Sequence, residues 1–400
     1  MLIWLVVLLI FVLTLVSVIP TLYYSFLCVV YFLNRNKFVN IMGKKESKII
    51  ILIPAHNEEL TITKTIKSCV SLDYPKDKYD IYVILDNCDD DTKQIVIDNK
   101  INYLERISPD KRGKGYALEW AFVELNDAGH DGVLIVDADC ELSGNSLLAI
   151  DNYLASGYQA LQLNDISSNP DASSLSYILS VGNFIENEYF SYPKNILKLA
   201  VQCRGTGMVF AKTLLKNFPW DANTITEDME YSIKLSRANV RVCFIREAYV
   251  KSEFPDTNRK FMIQRTRWAE GNLSFSKSNA FELMKEGIKS RKKLIFDSGL
   301  TLYLISKPLV LLLVFGSLIM SFMASCFFSD FLLYDLFIMN VFIAILLLGY
   351  FLSAIAFYGL NEARLRKLFS VPLVLLSLLK VSLRGLKNRS DSEWQKTPRH

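Results

Sequence analysis

The sequence predicts an α/β domain with a mostly parallel sheet, inserted between N-terminal and C-terminal segments that are apolar enough to span a membrane. Residues 2–33 and 301–360 are almost wholly apolar, and about 20 apolar residues suffice for a helix to cross a bilayer. Between them, short runs of β-branched residues alternate with helical patterns, which is typical of a parallel sheet covered by helices. Polar clusters follow the ends of these runs, where such sheets bind ligands.

The composition narrows the class of function. The net charge of +4 is small and dispersed over 400 residues, so we expect no nucleic-acid partner. The seven cysteines show no C-x-x-C spacing, and the three histidines show no metal-binding spacing. Reduced, buried thiols are therefore expected, and a zinc site is not.

The apolar ends predict a multi-pass membrane protein. Residues 1–34 are expected to be an uncleaved anchor, because the run exceeds a signal-peptide core and no Lys or Arg precedes it. This anchor is either one tilted helix or a tight pair of helices broken near Pro20. Residues 299–360 are expected to form two transmembrane helices. Residues 361–400 are expected to be a basic interfacial segment and cytoplasmic tail, with a third span at 369–385 as the alternative.

Basic residues predict the orientation. Arg35, Lys37 and Lys44-Lys45 follow the first apolar segment, and Lys289 to Lys293 precede the second. Because short cytoplasmic loops carry an excess of Lys and Arg, we place the middle domain on the cytoplasmic side of the plasma membrane. Residues 45–272 would form this domain, and 273–298 would form an interfacial connector.

The elements of the middle domain follow in order. The predicted strands are 47–54, 82–85, 102–105 and 132–136, and the predicted helices begin near residues 57, 91 and 117. The strands are short, rich in Ile, Val and Leu, and bounded by turn residues, as buried parallel strands are. Their carboxyl ends are expected to share one edge of the sheet.

Acidic residues follow these strand ends. Glu58 and Asp86 follow the first two strands, and Asp137 and Asp139 follow the fourth. Acids on one rim repel each other unless a cation or a donor-rich ligand lies among them. Because Mg²⁺ and Mn²⁺ prefer carboxylate oxygens, we expect a site for one of these ions. The alternatives are solvated turn residues for the aspartates and helix capping for Glu58.

Other motifs combine basic, small or aromatic residues. They are Gly113-Lys114-Gly115, Gly205-Thr206-Gly207, Thr226-Glu227-Asp228 and Gln264-Arg265-Thr266-Arg267-Trp268. Considered separately, they also fit a solvated basic turn, an ordinary turn, a helix N-cap at Thr226 and an interfacial Trp-Arg pair.

Together with Ile53-Pro54-Ala55-His56-Asn57-Glu58, Asp86-Asn87 and Asp137-Ala138-Asp139, the order of these motifs resembles family 2 inverting glycosyltransferases of the GT-A fold. More narrowly, it resembles the membrane-embedded branch that contains cellulose, hyaluronan and poly-N-acetylglucosamine synthases. The matching motifs lie between about residues 48 and 272. The resemblance implies a GT-A nucleotide-sugar-binding domain that uses Mg²⁺ or Mn²⁺.

The resemblance also implies a role for each residue on the donor side. Pro54, Glu58 and Asp86 would hold the uridine of a UDP-sugar. Asp137 and Asp139 would bind the sugar nucleotide and its metal ion, with Asp139 the more direct ligand. The remaining donor-binding residues would be Lys114, Gln264 and Arg267. Asn87 departs from the family pattern, in which a second Asp follows the first.

On the acceptor side, Gly205, Thr206, Gly207 and Trp268 would contact the acceptor sugar. Asp228, next to Glu227, would be the general base that takes the proton from the acceptor hydroxyl. The implied enzyme is a metal-dependent hexosyl- or N-acetylhexosaminyltransferase.

Two acceptors stay open at this point. The first is a growing β-linked extracellular or capsular polysaccharide, and the alternative is a membrane lipid that receives a single sugar. A third hypothesis, a degenerate subunit that only binds, is disfavoured because the motif residues are intact. The sugar itself stays open, and protein partners stay unknown.

Overall fold

The computed structural model describes residues 2–37, 46–304, 306–328 and 330–387. In these residues, eight strands form one sheet. The strands are β1 Ile49–Ala55, β2 Tyr79–Asp86, β3 Asn102–Arg106, β4 Gly132–Ile135, β5 Cys140–Leu142, β6 Ala160–Ser167, β7 Met208–Ala211 and β8 Val242–Ser252.

The strand order is β3-β2-β1-β4-β7-β6-β8-β5. Strands β3, β2, β1 and β4 are mutually parallel, and β6 is parallel to β8, whereas β7 runs antiparallel to β4 and β6, and β5 runs antiparallel to β8. The prediction of an α/β fold with a mostly parallel sheet is confirmed. The four predicted strands correspond to β1–β4, and the other four were not predicted.

Helices cover both faces of the sheet and continue into the apolar ends. They are α1 Leu2–Asn34, α2 Ile62–Val70, α3 Thr92–Asp98, α4 Lys114–Glu124, α5 Ser146–Ala155, α6 Ser174–Phe184, α7 Tyr192–Ile196, α8 Lys212–Asn217, α9 Glu227–Arg237, α10 Asn258–Ser290, α11 Lys293–Tyr303, α12 Lys307–Phe327, α13 Phe331–Tyr358, α14 Glu362–Lys367 and α15 Val371–Lys387. A π-helical turn, Ile185–Ser191, joins α6 to α7.

The central strand β1 is buried on both faces, as its unbroken apolar sequence requires. Ile49, Ile51 and Ile53 pack in a cluster with residues of α2 and α5. Ile50 and Leu52 point to the opposite face and belong to a cluster that includes residues of α1, α12 and α13. The apolar helices and the sheet therefore share one hydrophobic core.

Within the described ranges, three helices are long and apolar enough to cross a membrane: Trp4–Asn34, Lys307–Phe327 and Phe331–Tyr358. The first is continuous through Pro20, so of the two alternatives for the anchor the structure has the single helix. A buried polar contact joins the three, because Thr14 and Ser317 both donate hydrogen bonds to Asn340 Oδ1, at 3.2 and 2.9 Å. Such side-chain bonds help apolar helices to associate.

The C-terminal region differs in detail from the predicted segments. Helix α10 continues through the boundary predicted at 272/273 and ends at Ser290, and the next residue, Arg291, has a left-handed conformation. Helix α15 packs on α10 through Val381, which lies in a cluster with Phe261. Lys44, Lys45 and the tail from residue 388 lie outside the described residues.

Candidate active site

The carboxyl ends of the parallel strands form the first wall of the site. Asp86 is the last residue of β2, and Asp137 follows β4 by two residues. Pro54 is partly buried near the end of β1, where it pairs with Ile84 of β2. The strand ends predicted to bear functional residues thus lie at neighbouring positions of the sheet.

Asp86 is held by a basic partner that was not predicted. Arg106, which the strand register places opposite Asp86, donates a hydrogen bond from Nη1 to Asp86 Oδ1 at 2.5 Å. Asn87 donates to the same oxygen at 2.9 Å. Burial raises the pKa of Asp86, and Arg106 opposes that shift. The pair follows from the register of β2 and β3, which the sequence alone does not give.

Glu58 lies in the turn before α2. Its carbonyl accepts the backbone N–H groups of Thr61 and Ile62, and its Oε2 accepts the Thr61 hydroxyl at 2.9 Å. The helix begins at Ile62, five residues after the predicted start at Asn57, because Asn57 has a positive φ of 57°. The Glu58 side chain thus bonds within the turn before α2, whereas the cap position of that helix is Thr61.

Asp137 and Asp139 lie close enough to hold one cation. Their carboxylate oxygens and the Cys140 sulfur all lie within 4.8 Å of one another. Burial raises the pKa of Cys140 well above its ordinary value, so the thiol stays protonated and is a poor ligand for a hard ion. The two carboxylates are therefore the oxygen donors that could hold an ion here, and their chemistry fits Mg²⁺ or Mn²⁺.

Lys114 links the two sides of the site. Its ammonium group donates to Asp137 Oδ1 and to the Gly205 carbonyl, the latter at 2.8 Å. Burial lowers the pKa of Lys114, but the attraction of Asp137, Glu227 and Asp228 outweighs burial and raises it overall. Lys114 is thus a charged residue at the centre of an acidic cluster.

Residues 204–207, named the acceptor loop after the role that the resemblance implies, also contact Lys114. Gly205 and Gly207 both have left-handed φ values, 77° and 69°. Thr206 is buried, and its hydroxyl accepts the Asp137 N–H at 3.2 Å. This bond joins the acceptor loop directly to the D-x-D segment.

Glu227 and Asp228 begin α9 beside this loop. Thr226 precedes the helix, but its side chain makes no capping hydrogen bond, so the simple capping alternative is not what the structure has. Met229 N–H donates to Asp228 Oδ1 at 2.7 Å. A Cβ placed on Gly205 would lie 3.7 Å from Asp228 Oδ2, so that carboxylate faces the acceptor loop.

Both carboxyl groups hold their protons more tightly than usual. Burial raises the pKa of Glu227, with the charge of Asp228 as the second cause. Burial also raises the pKa of Asp228, while the Met229 N–H and Lys114 oppose the shift. A pair of carboxyls with raised pKa values is suited to accepting a proton near neutral pH.

Helix α10 packs against the start of α9. A Cβ on Gly271 would lie only 2.8 Å from Thr226 Cγ2, so the missing side chain lets α10 approach the start of α9. One turn earlier, Trp268 is 39% exposed, and the Arg265 guanidinium lies 4.9 Å from its ring centre. Gln264 is partly buried, and the Arg267 side chain lies outside the described part of the structure.

The predicted residues thus fall into two groups. Lys114, Asp137, Gly205, Thr206 and Asp228 are joined by direct contacts or short separations. Glu58 and Asp86 lie at the neighbouring strand ends. Prediction missed Arg106 and Gly271, because an ion pair across strands and a close helix contact depend on register and packing.

The chain is similar in sequence to several curated glycosyltransferases. It is 29% identical over 272 residues to "Probable glycosyltransferase YdaM" of Bacillus subtilis, covering 64% of this chain and 61% of that protein. It is 27% identical to a poly-beta-1,6-N-acetyl-D-glucosamine synthase of Staphylococcus epidermidis, covering 60% and 58%. It is 27% identical to a beta-monoglucosyldiacylglycerol synthase of Synechocystis sp., covering 56% and 47%. The matches span about half to three fifths of these relatives' lengths.

The fold is similar to a solved structure over almost the whole chain. That structure is the mannosyltransferase PcManGT from Pyrobaculum calidifontis in complex with GDP-Man and Mn²⁺. The TM-score is 0.57 at 17% identity, covering 93% of this chain and 99% of that one. The prediction of a GT-A domain between apolar helices is confirmed.

A family model described as Glycosyltransferase like family 2 matches residues 47–271. This range contains the D-x-D segment, the acceptor loop, the start of α9 and the Gln264–Trp268 motif. Since it covers more than half of the 400 residues, the chain belongs to the glycosyltransferase-like family 2.

Proposed function

We propose that the protein is an inverting glycosyltransferase that moves a sugar from a UDP-sugar to an acceptor hydroxyl. The observation that carries the proposal is the placement of Lys114 between Asp137 on one side and Gly205 beside Asp228 on the other. The donor diphosphate would bind on the Asp137 side of Lys114. The acceptor hydroxyl would meet its base, Asp228, on the Gly205 side. The strand ends bearing Pro54, Glu58 and Asp86 would take the nucleoside.

The donor side would use charge to stabilise the leaving group. A Mg²⁺ or Mn²⁺ ion held by Asp137 and Asp139 would supply positive charge for the departing diphosphate. Lys114 would add a cation from the chain itself, and Gln264 and Arg267 would approach from α10. Arginine suits this role because its guanidinium can make paired hydrogen bonds to phosphate.

The acceptor side would supply the base. Asp228 takes the proton from the acceptor hydroxyl while that oxygen forms a bond to the anomeric carbon and the bond from that carbon to the diphosphate breaks. Glu227 is more buried, and burial together with the charge of Asp228 raises its pKa to about 8. Glu227 thus keeps its own proton at neutral pH, and the proton of the acceptor is assigned to Asp228. One displacement inverts the anomeric configuration, and no covalent intermediate is needed.

The acceptor is proposed to be a growing β-linked polysaccharide. Trp268 supports this choice, since a partly exposed indole on α10 offers a flat face for a sugar ring. The second candidate is a lipid that receives one sugar. One support is a relative of equal identity, 27%, whose name describes a glucosyldiacylglycerol synthase. The other is the hydrophobic core that the sheet shares with the apolar helices, which brings the site close to a bilayer.

The proposed location is the plasma membrane, with the catalytic domain in the cytoplasm. The three candidate spans support a membrane protein. The basic residues at both junctions with the middle domain support the cytoplasmic orientation.

The first experiment is UDP release by the detergent-solubilised full chain across a panel of UDP-sugars, with Mn²⁺ or EDTA, followed by sizing of the products. A long product that glycosidases digest supports the polysaccharide, and a singly glycosylated lipid supports the second candidate. Absence of transfer with every donor, in the presence of membrane lipids and oligosaccharide primers, would contradict the proposal.

The role of Asp228 is tested with Asp228→Asn. We expect turnover to fall by about 10²- to 10⁴-fold, with UDP affinity unchanged, because the amide keeps the shape but cannot accept the proton. Asp221→Asn is the matched control, since Asp221 is an exposed carboxylate paired with Lys234. Near-normal turnover of Asp228→Asn would remove Asp228 from the mechanism.

A further inference from the structure

The acceptor loop has few backbone bonds of its own to define its shape. Thr206 N–H donates to the Arg204 carbonyl at 2.9 Å, and Gly207 N–H donates to the Ile135 carbonyl at 2.8 Å. The Gly207 carbonyl accepts the Leu163 N–H at 2.8 Å. Two glycines with left-handed φ values lie in its four residues, and glycine adopts many other conformations at little cost. Something outside the loop must therefore select this conformation.

The first outside support is the buried side chain of Gln162 in β6. Its Oε1 accepts the Arg204 N–H at 2.9 Å, and its Nε2 donates to the Thr206 carbonyl at 2.8 Å. Gln162 is 0% exposed. It is also the last residue of β6 that pairs with β7, opposite Met208. Its amide thus holds Arg204 and Thr206, next to the backbone bond between Leu163 and Gly207.

The second support is Asn187 in the π-helical turn. Its Nδ2 donates to the Asp165 carbonyl at 2.5 Å and to Asn183 Oδ1 at 2.8 Å, and its Oδ1 accepts the Arg204 guanidinium. Asn187 is 2% exposed and lines a small cavity. Since atoms that face a cavity are weakly held by packing, hydrogen bonds orient this side chain. π-helical turns often mark functional positions.

We propose that Gln162 and Asn187 are positioning residues for glycosyl transfer, which fix the acceptor loop so that Gly205 stays beside Asp228 and Lys114. This inference rests on the proposed function and adds two residues to it. Gln162 holds the loop's backbone at two points, and Asn187 holds the Arg204 side chain at its start. A loop moved by about 1 Å would misalign the acceptor oxygen with its base, and such errors cost about 10²-fold in rate.

The kinetic test uses Gln162→Leu, which keeps the approximate size and removes both bonds. We expect kcat to fall by about 10- to 100-fold and the acceptor KM to rise, while UDP affinity stays within about twofold of wild type. Gln159→Leu is the matched control, because Gln159 is an exposed glutamine just before β6. A purely structural role would lower the active fraction and leave both KM values unchanged, which would overturn the proposal.

Gln162→Glu is the second variant. Because Glu has nearly the same shape as Gln, this substitution tests the same hydrogen bonds without a change in packing. A protonated carboxyl can donate to the Thr206 carbonyl, whereas a carboxylate cannot. We therefore expect transfer relative to wild type to be weak at pH 8 and to recover partly at pH 6. Equal relative rates at both pH values, with wild-type acceptor KM, would refute the role of Gln162. Asn187→Asp, which cannot donate to the Asp165 carbonyl, should raise the acceptor KM, and a wild-type KM would refute the role of Asn187.

Hydrogen exchange separates this inference from the proposed function. We expect the amides of residues 204–207 to exchange faster in Gln162→Leu than in wild type, whether or not any acceptor is turned over. Unchanged protection of these amides would overturn the inference. Failure of the wild-type protein to transfer sugar, with faster exchange in the variant, would contradict the proposed function alone.

Discussion

The charge of Lys114 controls the pH at which the acceptor side can work. A Cβ on Gly205 would lie 3.7 Å from Asp228 Oδ2 and 3.8 Å from Lys114 Nζ. The carboxylate oxygen of Asp228 and the ammonium nitrogen of Lys114 are therefore less than about 7.5 Å apart. Lys114→Met keeps most of the side-chain volume and removes the cation. The pKa of Asp228, already raised by burial, should then rise further.

The size of the shift follows from Coulomb's law. At an effective dielectric constant of about 20, unit charges roughly 7 Å apart interact by about 2 kcal/mol, which corresponds to about 1.5 pKa units. A general base must be ionised, so activity is lost as the pH falls through its pKa. The acid limb of the kcat profile should therefore move to higher pH by about 1.5 units. Weaker donor binding should accompany this shift, because Lys114 also neutralises Asp137.

The assay is UDP release at saturating donor between about pH 5 and 9. Lys216→Met is the control, because Lys216 is an exposed lysine on the short helix α8. A profile for Lys114→Met that coincides with wild type after scaling would refute the electrostatic coupling between Lys114 and Asp228. A shift seen equally in Lys216→Met would show an effect of net charge alone.

Three further predictions concern the metal site and the fold. Asp139→Ala should abolish the gain in UDP affinity on adding Mn²⁺, a loss of about tenfold or more by titration, and a retained gain would exclude Asp139 as a ligand. Gly115→Ala should lower the free energy of unfolding by about 1–3 kcal/mol, measured by thermal unfolding, because its Cβ would lie 2.3 Å from the Ala222 carbonyl oxygen. Gly182→Ala is the control and should not destabilise the protein, because no atom lies within 4 Å of its Cβ. Asp297→Leu should lower the free energy of unfolding by about 3–5 kcal/mol. The buried ammonium of Lys194 lies 3.0 Å from Asp297 Oδ2 and would lose its anion. An unchanged melting temperature would contradict this prediction.

Prediction from sequence succeeded where one local pattern determines the structure. The runs that became β1, β2 and β4 are short, apolar and bounded by turn residues, so both their type and their carboxyl ends follow from the pattern. Because parallel strands end on one side, the shared edge for Asp86 and Asp137 follows as well. The same reasoning failed for β5–β8, where Gln162 and Asp165 interrupt the apolar pattern in β6.

The remaining site residues depend on contacts between distant segments. Arg106 becomes a partner of Asp86 only through the register of β2 and β3. Gly271 matters only because α10 crosses the start of α9 at that position. Neither relation leaves a local signal, since arginines at strand ends and glycines within helices are common where no such contact exists.

The candidate membrane helices are part of the architecture of the candidate site, because they supply one wall of its core. Tyr24 and Tyr31 of α1 pack in the same buried cluster as Ile50 and Leu52 of β1, in the strand that leads to Glu58. The buried pair of Lys194 and Asp297 ties α7 to α11, and the Tyr23 hydroxyl donates to Asp297 Oδ1 at 2.6 Å. A displacement of α1 would therefore move its contacts with the sheet and with the segment before the acceptor loop. The site is thus built jointly by the sheet and by the helices that would anchor it.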